Sequence, residues 1–437
     1  MAAVGSAVGL GNIWRFPYIL GKYGGGAFLL VFLLFVFGIG MVLMMSEFVI
    51  GRRSQHAAMK AYSTLTPDRK HWRFVGLLGI ITCFFIVSQY TVVSGWTFSY
   101  FVDALTGRLA VLGCDSAQIS DYFAAFTTST VRPVVCLAVF ALLAACVILG
   151  GVQKGIEGVS KVLMPLLLVI LLVLCVRSLT LPGAGQGLSY LFKPDFSKLT
   201  SEGILAALGQ ALFTLSVGMG VMIIYGSYIP LDDNLLRTSI WITASDTFIA
   251  ILAGVAIFPA VFSCGLEPAG GPGLTFCVLP NVFNSFGTTM GTVFAVLFFA
   301  LLVIAALTST ISLFEALIAW FSETFDVRRR NATLVFTAQI VAMATVVALG
   351  NSLFANFKIL DLSLFDFIDR LNTIYLPPLC ALGTMVFLGW VMPNDDIRDE
   401  LSNHGTLRIG YYPVFSFIVR WVAPVALLVV LVFGILG

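Results

Sequence analysis

Long apolar runs broken by short polar interruptions continue along all 437 residues of this chain. They predict eleven membrane spans, at about 1–20, 26–50, 74–106, 132–149, 159–176, 202–229, 238–262, 288–322, 332–349, 364–391 and 413–436. Proline, glycine and charge mark the connections, as in Pro-Asp-Arg-Lys-His-Trp-Arg (67–73), Gly-Val-Gln-Lys-Gly (151–155), Val-Arg-Arg-Arg-Asn (327–331) and 392–400. The expected fold class is an all-α integral membrane protein of about eleven transmembrane helices, forming one domain over 1–437. The first apolar stretch has no basic leader before it, so it does not read as a signal peptide. About ten residues precede Gly11, where a full span needs roughly 20, so the first helix is expected to start upstream of Met1.

Composition agrees with lipid as the solvent. Hydrophobic residues make up 59% of the chain and charged residues 11%, against about 25% charged in soluble domains. A net charge of +2 gives no reason to expect a nucleic-acid partner. The eight cysteines show neither Cys-x-x-Cys nor metal-ligand spacing, and they are expected to be mostly small buried apolar residues. The three histidines, His56, His71 and His404, lie outside the apolar runs. With the amino end cytoplasmic, about 14 basic residues fall in inward segments and about 7 in outward ones. The excess rests on Arg52, Arg53, Lys70, Arg73 and Arg328 to Arg330, and it places the carboxyl end outside.

The chain also repeats itself. Residues 6–11 read Ser-Ala-Val-Gly-Leu-Gly and residues 215–220 read Leu-Ser-Val-Gly-Met-Gly, each in the middle of a span. Five spans separate them, so the two halves (about 1–176 and 202–391, with 413–436 as an extra helix) enter the membrane in opposite senses. One Gly-x-Gly would usually mean close helix packing. Two in register across an inverted 5+5 repeat point to broken helices 1 and 6 around a midplane binding site.

Unwound backbone in lipid persists only where a ligand or cavity satisfies it. Its carbonyls suit a hard cation such as sodium, and half-helix amino ends suit a carboxylate. An amino acid zwitterion has matching ends. Ionisable groups inside spans are functional by default, and four stand out: Arg15, Glu47, Asp246 and Asp369. Asp246 sits deepest and needs a cation or a proton. Arg15 follows the first break by one turn and is placed on the outer, watered side. Glu47 and Asp369 also fit solvated helix ends. Thr308 and Ser309 offer hydroxyls to a cation, although such residues more often bond their own helix. Tyr90 is a mid-membrane hydroxyl that needs a partner.

The run Gly-Ser-Ala-Val-Gly-Leu-Gly-Asn-Ile-Trp-Arg-Phe-Pro-Tyr (5–18), followed by Gly-Gly-Gly-Ala-Phe (24–28), resembles the signature of the neurotransmitter:sodium symporter family, in its bacterial amino-acid branch. The likeness continues through 46–53, 209–220, 307–312 and the acids of span 10. It implies a first sodium site from the Ala7 carbonyl, Asn12, Thr214, Asp246 and the substrate carboxylate. It implies a second from the carbonyls of Gly5, Val8 and Ala305 with the hydroxyls of Thr308 and Ser309. The substrate carboxylate would meet the Leu10 and Gly11 amides and Tyr90. Its amino group would meet Ala7, Phe213, Thr214 and Ser216, and its side chain Ile86, Phe213, Met219 and Leu313, with Gly9 and Ser309 in the same pocket.

The resemblance further implies an outer gate of Arg15 and Asp369 over a lid of Tyr90 and Phe213, with Gln210 close by. Tyr228 and Glu323 would belong to an inner gate, and Glu47 would brace the unwound backbone of span 1. Monoamine carriers of the family have an acid where this chain has Gly9, so the substrate here brings its own carboxylate. Met219 stands where the leucine-type pocket has phenylalanine, which implies room for aromatic side chains. Asp246 supplies a fixed charge that animal relatives take from chloride, which implies chloride independence.

The expected function is therefore sodium-coupled symport of a hydrophobic or aromatic L-amino acid in a bacterial inner membrane. Sodium is the only cofactor expected, and a monomer or weak dimer the expected state. A proton-coupled or ion-independent carrier on the same fold remains the alternative, ahead of a channel or membrane-embedded sensor. An enzyme is not expected, because no nucleophile–base pair or metal cluster is apparent.

Overall fold

The computed structural model describes residues 7–151, 157–265 and 274–436. Among them, nine helices are long and apolar enough to cross a membrane. They are Gly26–Ser54, Pro67–Leu105, Arg132–Leu149, Gly158–Leu179, Leu235–Ser263, Thr288–Phe325, Arg329–Leu349, Leu364–Val391 and Tyr412–Gly434, which are spans 2 to 5 and 7 to 11. Spans 1 and 6 complete the eleven, and both are interrupted. In span 1 the described backbone bends at Val8 and Gly9, then takes a wide turn at Gly11–Arg15 and runs on through Phe16–Lys22. Span 6 is split into Ser201–Thr214 and Val221–Tyr228. Gly5, expected at the second sodium site, lies outside the described residues.

Spans 1–5 and 6–10 are inverted repeats, with span 11 added at the end. Span 3 packs extensively against spans 8 and 4, and span 9 joins the same group. A second group forms where span 2 packs on the inner half of span 6 and on span 7, with span 1 against span 7. Small residues let these backbones meet directly. A Cβ on Gly51 would lie 1.9 Å from the Ile223 carbonyl oxygen, and one on Gly226 would lie 2.9 Å from Phe48 backbone. Span 2 and the inner half of span 6 therefore behave as one packed unit. Of the eight cysteines only Cys83, Cys175 and Cys380 are buried. The others lie on helix faces or in loops, because a small apolar thiol suits lipid as well as a core.

The carboxyl-terminal end of span 2 carries a second anchor. Arg52 is fully buried and pairs with Glu400, which lies on the short helix Asn394–Leu401 between spans 10 and 11. It also donates to the Asp233 carbonyl (2.6 Å) and to Asn403 Oδ1 (3.0 Å). Arg53, half-buried, pairs with Asp396 and Asp399 at 2.7 Å each. Removing one member of a buried pair leaves the other charge stranded, which costs about 3–5 kcal/mol, whereas an exposed pair contributes about 0–1 kcal/mol. Arg52→Met is accordingly expected to lower the thermal unfolding midpoint of purified protein by several degrees, and Arg53→Met by much less. Equal, small shifts for the two would contradict the assignment.

Candidate functional site

The two breaks face each other, and the chain's turn chemistry explains why they persist. In span 6, Gly218 (φ 75°) and Gly220 (φ 74°) take left-handed backbone that a Cβ disfavours, and Ser216 (φ 54°) joins them. The freed Gly218 amide donates to Glu47 Oε1 at 2.7 Å. Glu47 thus braces the break of span 6, where span 1 was expected. The reason is the close packing of span 2 on span 6, which places Glu47 one helical turn from Gly51 and under the interruption. In span 1 the Gly9 amide donates to Asn12 Oδ1 at 3.0 Å, and the Leu10 amide donates to the Tyr90 hydroxyl at 2.8 Å.

Asp246 is fully buried in span 7 between the breaks. Asn12 Nδ2 donates to its Oδ1 at 2.7 Å and to its carbonyl at 3.0 Å. The Thr214 hydroxyl donates to both carboxylate oxygens, at 3.0 and 3.1 Å. No lysine or arginine pairs with it among the described residues. Of the four protein groups expected at a first sodium, Asn12 and Thr214 therefore both meet Asp246. At the second expected site the Thr308 hydroxyl lies 3.1 Å from the Ala305 carbonyl oxygen and 3.5 Å from that of Val8. These are all oxygen donors, the chemistry that a hard monovalent cation requires.

Ala7, Gly9, Gly11, Ile86, Tyr90, Phe213, Thr214, Ser216, Met219, Ser309 and Leu313 line a single cavity of about 20 Å³. Leu10 adjoins it through Tyr90. The twelve expected substrate contacts thus converge. The cavity has space for about one water, so an amino acid must part its walls to enter.

Beside it opens a larger cavity of about 440 Å³, lined by Arg15, Lys22, Glu202, Asp369 and Arg370 and by Phe433 of span 11. Arg15 lies at its floor, buried rather than facing water, with its guanidinium 4.5 Å from the centre of the Phe213 ring. Arg15 Nη1 is 3.8 Å from Asp369 Oδ1, and Nη2 donates to the Thr373 hydroxyl at 2.5 Å. Gln210 donates to the Gly11 carbonyl at 3.0 Å, so its amide ties spans 6 and 1 together beneath the gate.

The structure does not bring Tyr228 and Glu323 together. The Tyr228 hydroxyl donates to Glu315 Oε1 at 2.8 Å, and Arg329 at the start of span 9 pairs with the same carboxylate. Glu323 accepts from the Ala57 amide at 2.6 Å and pairs with His56 and Lys60. Eight residues along a helix separate the two acids by about 12 Å, and the shorter reach of Tyr228 selects the deeper one. Sequence reading passed over Glu315, although it lies within an apolar run as Asp246 does. Arg329 was absorbed into the basic loop. Gln89, which donates to Asp369, and Asn372, which donates to Gln89, carried no charge to draw attention.

Comparison with known proteins completes the picture. The profile described as the sodium:neurotransmitter symporter family matches residues 1–135 and 124–437. The chain belongs to that family. The sodium:neurotransmitter symporter family is one of transporters, and the apolar helices make this member an integral membrane protein. Sodium-dependent transporter YhdH of Bacillus subtilis is 37% identical over 98% of this chain and 94% of its own length. A sodium-dependent transporter of Haemophilus influenzae is 35% identical over 99% of this chain and 95% of its own. The crystal structure of MhsT in complex with L-phenylalanine superposes with a TM-score of 0.92, at 39% identity, over 99% of this chain and 97% of MhsT.

Proposed function

We propose that this protein carries a hydrophobic amino acid, aromatic ones included, into the cell together with sodium at two sites and without chloride. The observation that carries this reading is the convergence of both helix breaks on one cavity, with the buried carboxylate of Asp246 beside it. In the folded chain Asn12 and Thr214 donate to Asp246. A sodium ion seated against the Asp246 carboxylate and the Thr214 hydroxyl takes over that role, with the Asn12 amide turning its oxygen rather than its nitrogen inward, and the substrate carboxylate completes its shell. Sharing the carboxylate makes the two ligands bind together. The MhsT structure, which holds L-phenylalanine, supports the substrate class. Met219 in the wall supplies unbranched and flexible apolar surface for such a side chain, and Leu313 adds branched apolar surface beside it. Spans 1, 2, 6 and 7 rock against 3, 4, 8 and 9 in this reading, with the amino end cytoplasmic and the carboxyl end outside.

The ion gradients are sufficient. A tenfold sodium gradient supplies about 1.4 kcal/mol per ion, and 100 mV adds about 2.3 kcal/mol per charge. Two ions per zwitterion supply about 7 kcal/mol, a concentration ratio of about 10⁵. The test is equilibrium binding of labelled tryptophan, leucine and alanine to purified protein in sodium or potassium, with chloride or gluconate. Sodium-dependent binding of tryptophan and leucine, unchanged by gluconate, is expected. Equal binding in potassium would remove sodium coupling, a large loss in gluconate would remove chloride independence, and a strong preference for alanine would refute the pocket reading.

A further inference from the structure

The outer gate holds a feature that the pairing of Arg15 with Asp369 does not account for. The two are 3.8 Å apart, long for a charge-assisted hydrogen bond, and Arg15 takes its short contact from the neutral Thr373 hydroxyl instead. The oxygen of Asp369 nearest Arg15, Oδ1, accepts a hydrogen bond from Gln89 Nε2 at 2.9 Å. Gln89 is buried in span 3, immediately before Tyr90, and its own amide oxygen accepts from Asn372 Nδ2 at 2.9 Å. Asn372 is fully buried in the wide turn Leu371–Tyr375 of span 10, so it fixes which end of the Gln89 amide points at Asp369. Asp369, Asn372 and Gln89 belong to spans 10 and 3, whereas Arg15 belongs to span 1. The carboxylate is thus held from its own side of the gate.

We propose that Gln89, oriented by Asn372, is a positioning residue of the outer gate that holds Asp369 away from full engagement with Arg15. This rests on the binding-site reading given above. Donating to the shared oxygen lowers its pull on the guanidinium and fixes the carboxylate at a distance at which Arg15 rests on Thr373. The gate then opens without breaking a close ion pair in a half-buried setting. Removing the clamp lets Asp369 swing onto Arg15 and closes the gate more tightly. The sign is opposite to that of Asp369→Asn, which weakens closure.

The test uses Gln89→Leu, Asn372→Ala, Asp369→Asn and Gln89→Leu/Asp369→Asn in the full chain, read by the association and dissociation rates of labelled tryptophan. Gln89→Leu is expected to slow both rates about fivefold or more with a smaller change in affinity, and Asn372→Ala to slow them less. Asp369→Asn is expected to speed both, and the double variant to match it, because Gln89 acts through Asp369. A second readout needs no substrate: with the five unburied cysteines changed to serine, the reaction rate of a membrane-impermeant maleimide with Leu313→Cys in the pocket, expected to fall in the Gln89→Leu background. Faster or unchanged rates in Gln89→Leu, or additive effects in the double variant, overturn the proposal. Tryptophan failing to bind the unsubstituted chain while maleimide access still falls would sink the substrate reading and leave the clamp standing.

Discussion

Asp246→Asn is expected to weaken sodium-dependent amino-acid binding by about 100-fold or more, with little change in thermal stability measured without sodium. Asparagine keeps the volume of the side chain, so no cavity opens in span 7. The negative charge is what disappears. In a buried setting the loss of a charge opposite a cation is worth about 3 kcal/mol or more, which is the stated factor in affinity. Asn12 and Thr214 retain a hydrogen-bonding partner in the variant, so the local fold persists. Titrating sodium at fixed tryptophan would show the midpoint moving to higher concentration and the apparent cooperativity falling. An unshifted midpoint would mean that the cation site lies elsewhere.

Gly9→Ala is the second large effect, and it follows from space alone. A Cβ at Gly9 would stand 2.0 Å from Ser309 Oγ and 2.8 Å from the Tyr90 hydroxyl oxygen. The Ser309 hydroxyl can turn aside, but Ser309 Cβ, at 2.9 Å, is fixed to span 8, and the Tyr90 hydroxyl is held by the Leu10 amide. Overpacking of this kind costs about 1–3 kcal/mol, and here it falls on the substrate pocket, so a loss of affinity of about 10- to 100-fold is expected. Gly11→Ala is the control. Its Cβ would meet the edge of the Phe213 ring at 3.3 Å and the Thr214 Cα at an ordinary 3.9 Å. Its effect should be several-fold at most. Comparable losses for the two substitutions, measured by the same binding assay, would show that the backbone's break rather than the pocket's width is what glycine serves.

The sites of these two predictions differ in how they were found. Asp246 stands out in the sequence because a carboxylate deep in a span, with no lysine or arginine near it, has no bland explanation in lipid. Gly9 stands out because its motif recurs near Gly218 in the opposite half. Span 10 was placed at 364–391 from hydropathy and is found at Leu364–Val391. Span 4 agrees as closely, at Arg132–Leu149. In a membrane the solvent enforces apolar length on each span separately, so one-dimensional patterning is enough to find it.

Pairings across the fold had no such signal. Glu47 was assigned to span 1 and is found under span 6, because Gly51 and Gly226 bring spans 2 and 6 to backbone distance. Tyr228 was grouped with Glu323 and instead meets Glu315, two helical turns deeper on span 8. Gln89 and Asn372 are neutral amides 283 residues apart, and nothing in their spacing announces that they meet. Arg52 read as one of several basic residues at a helix end, yet it is the buried one.

The sequence by itself determined the eleven spans, the two breaks, the inverted repeat and the acids that cannot be idle, because each is a property of one segment against its solvent. The tertiary structure alone decided which donor each of those acids meets. A hydrogen bond is set by distances of a few tenths of an ångström between helices, and those follow from how glycines and side chains interlock across the bundle.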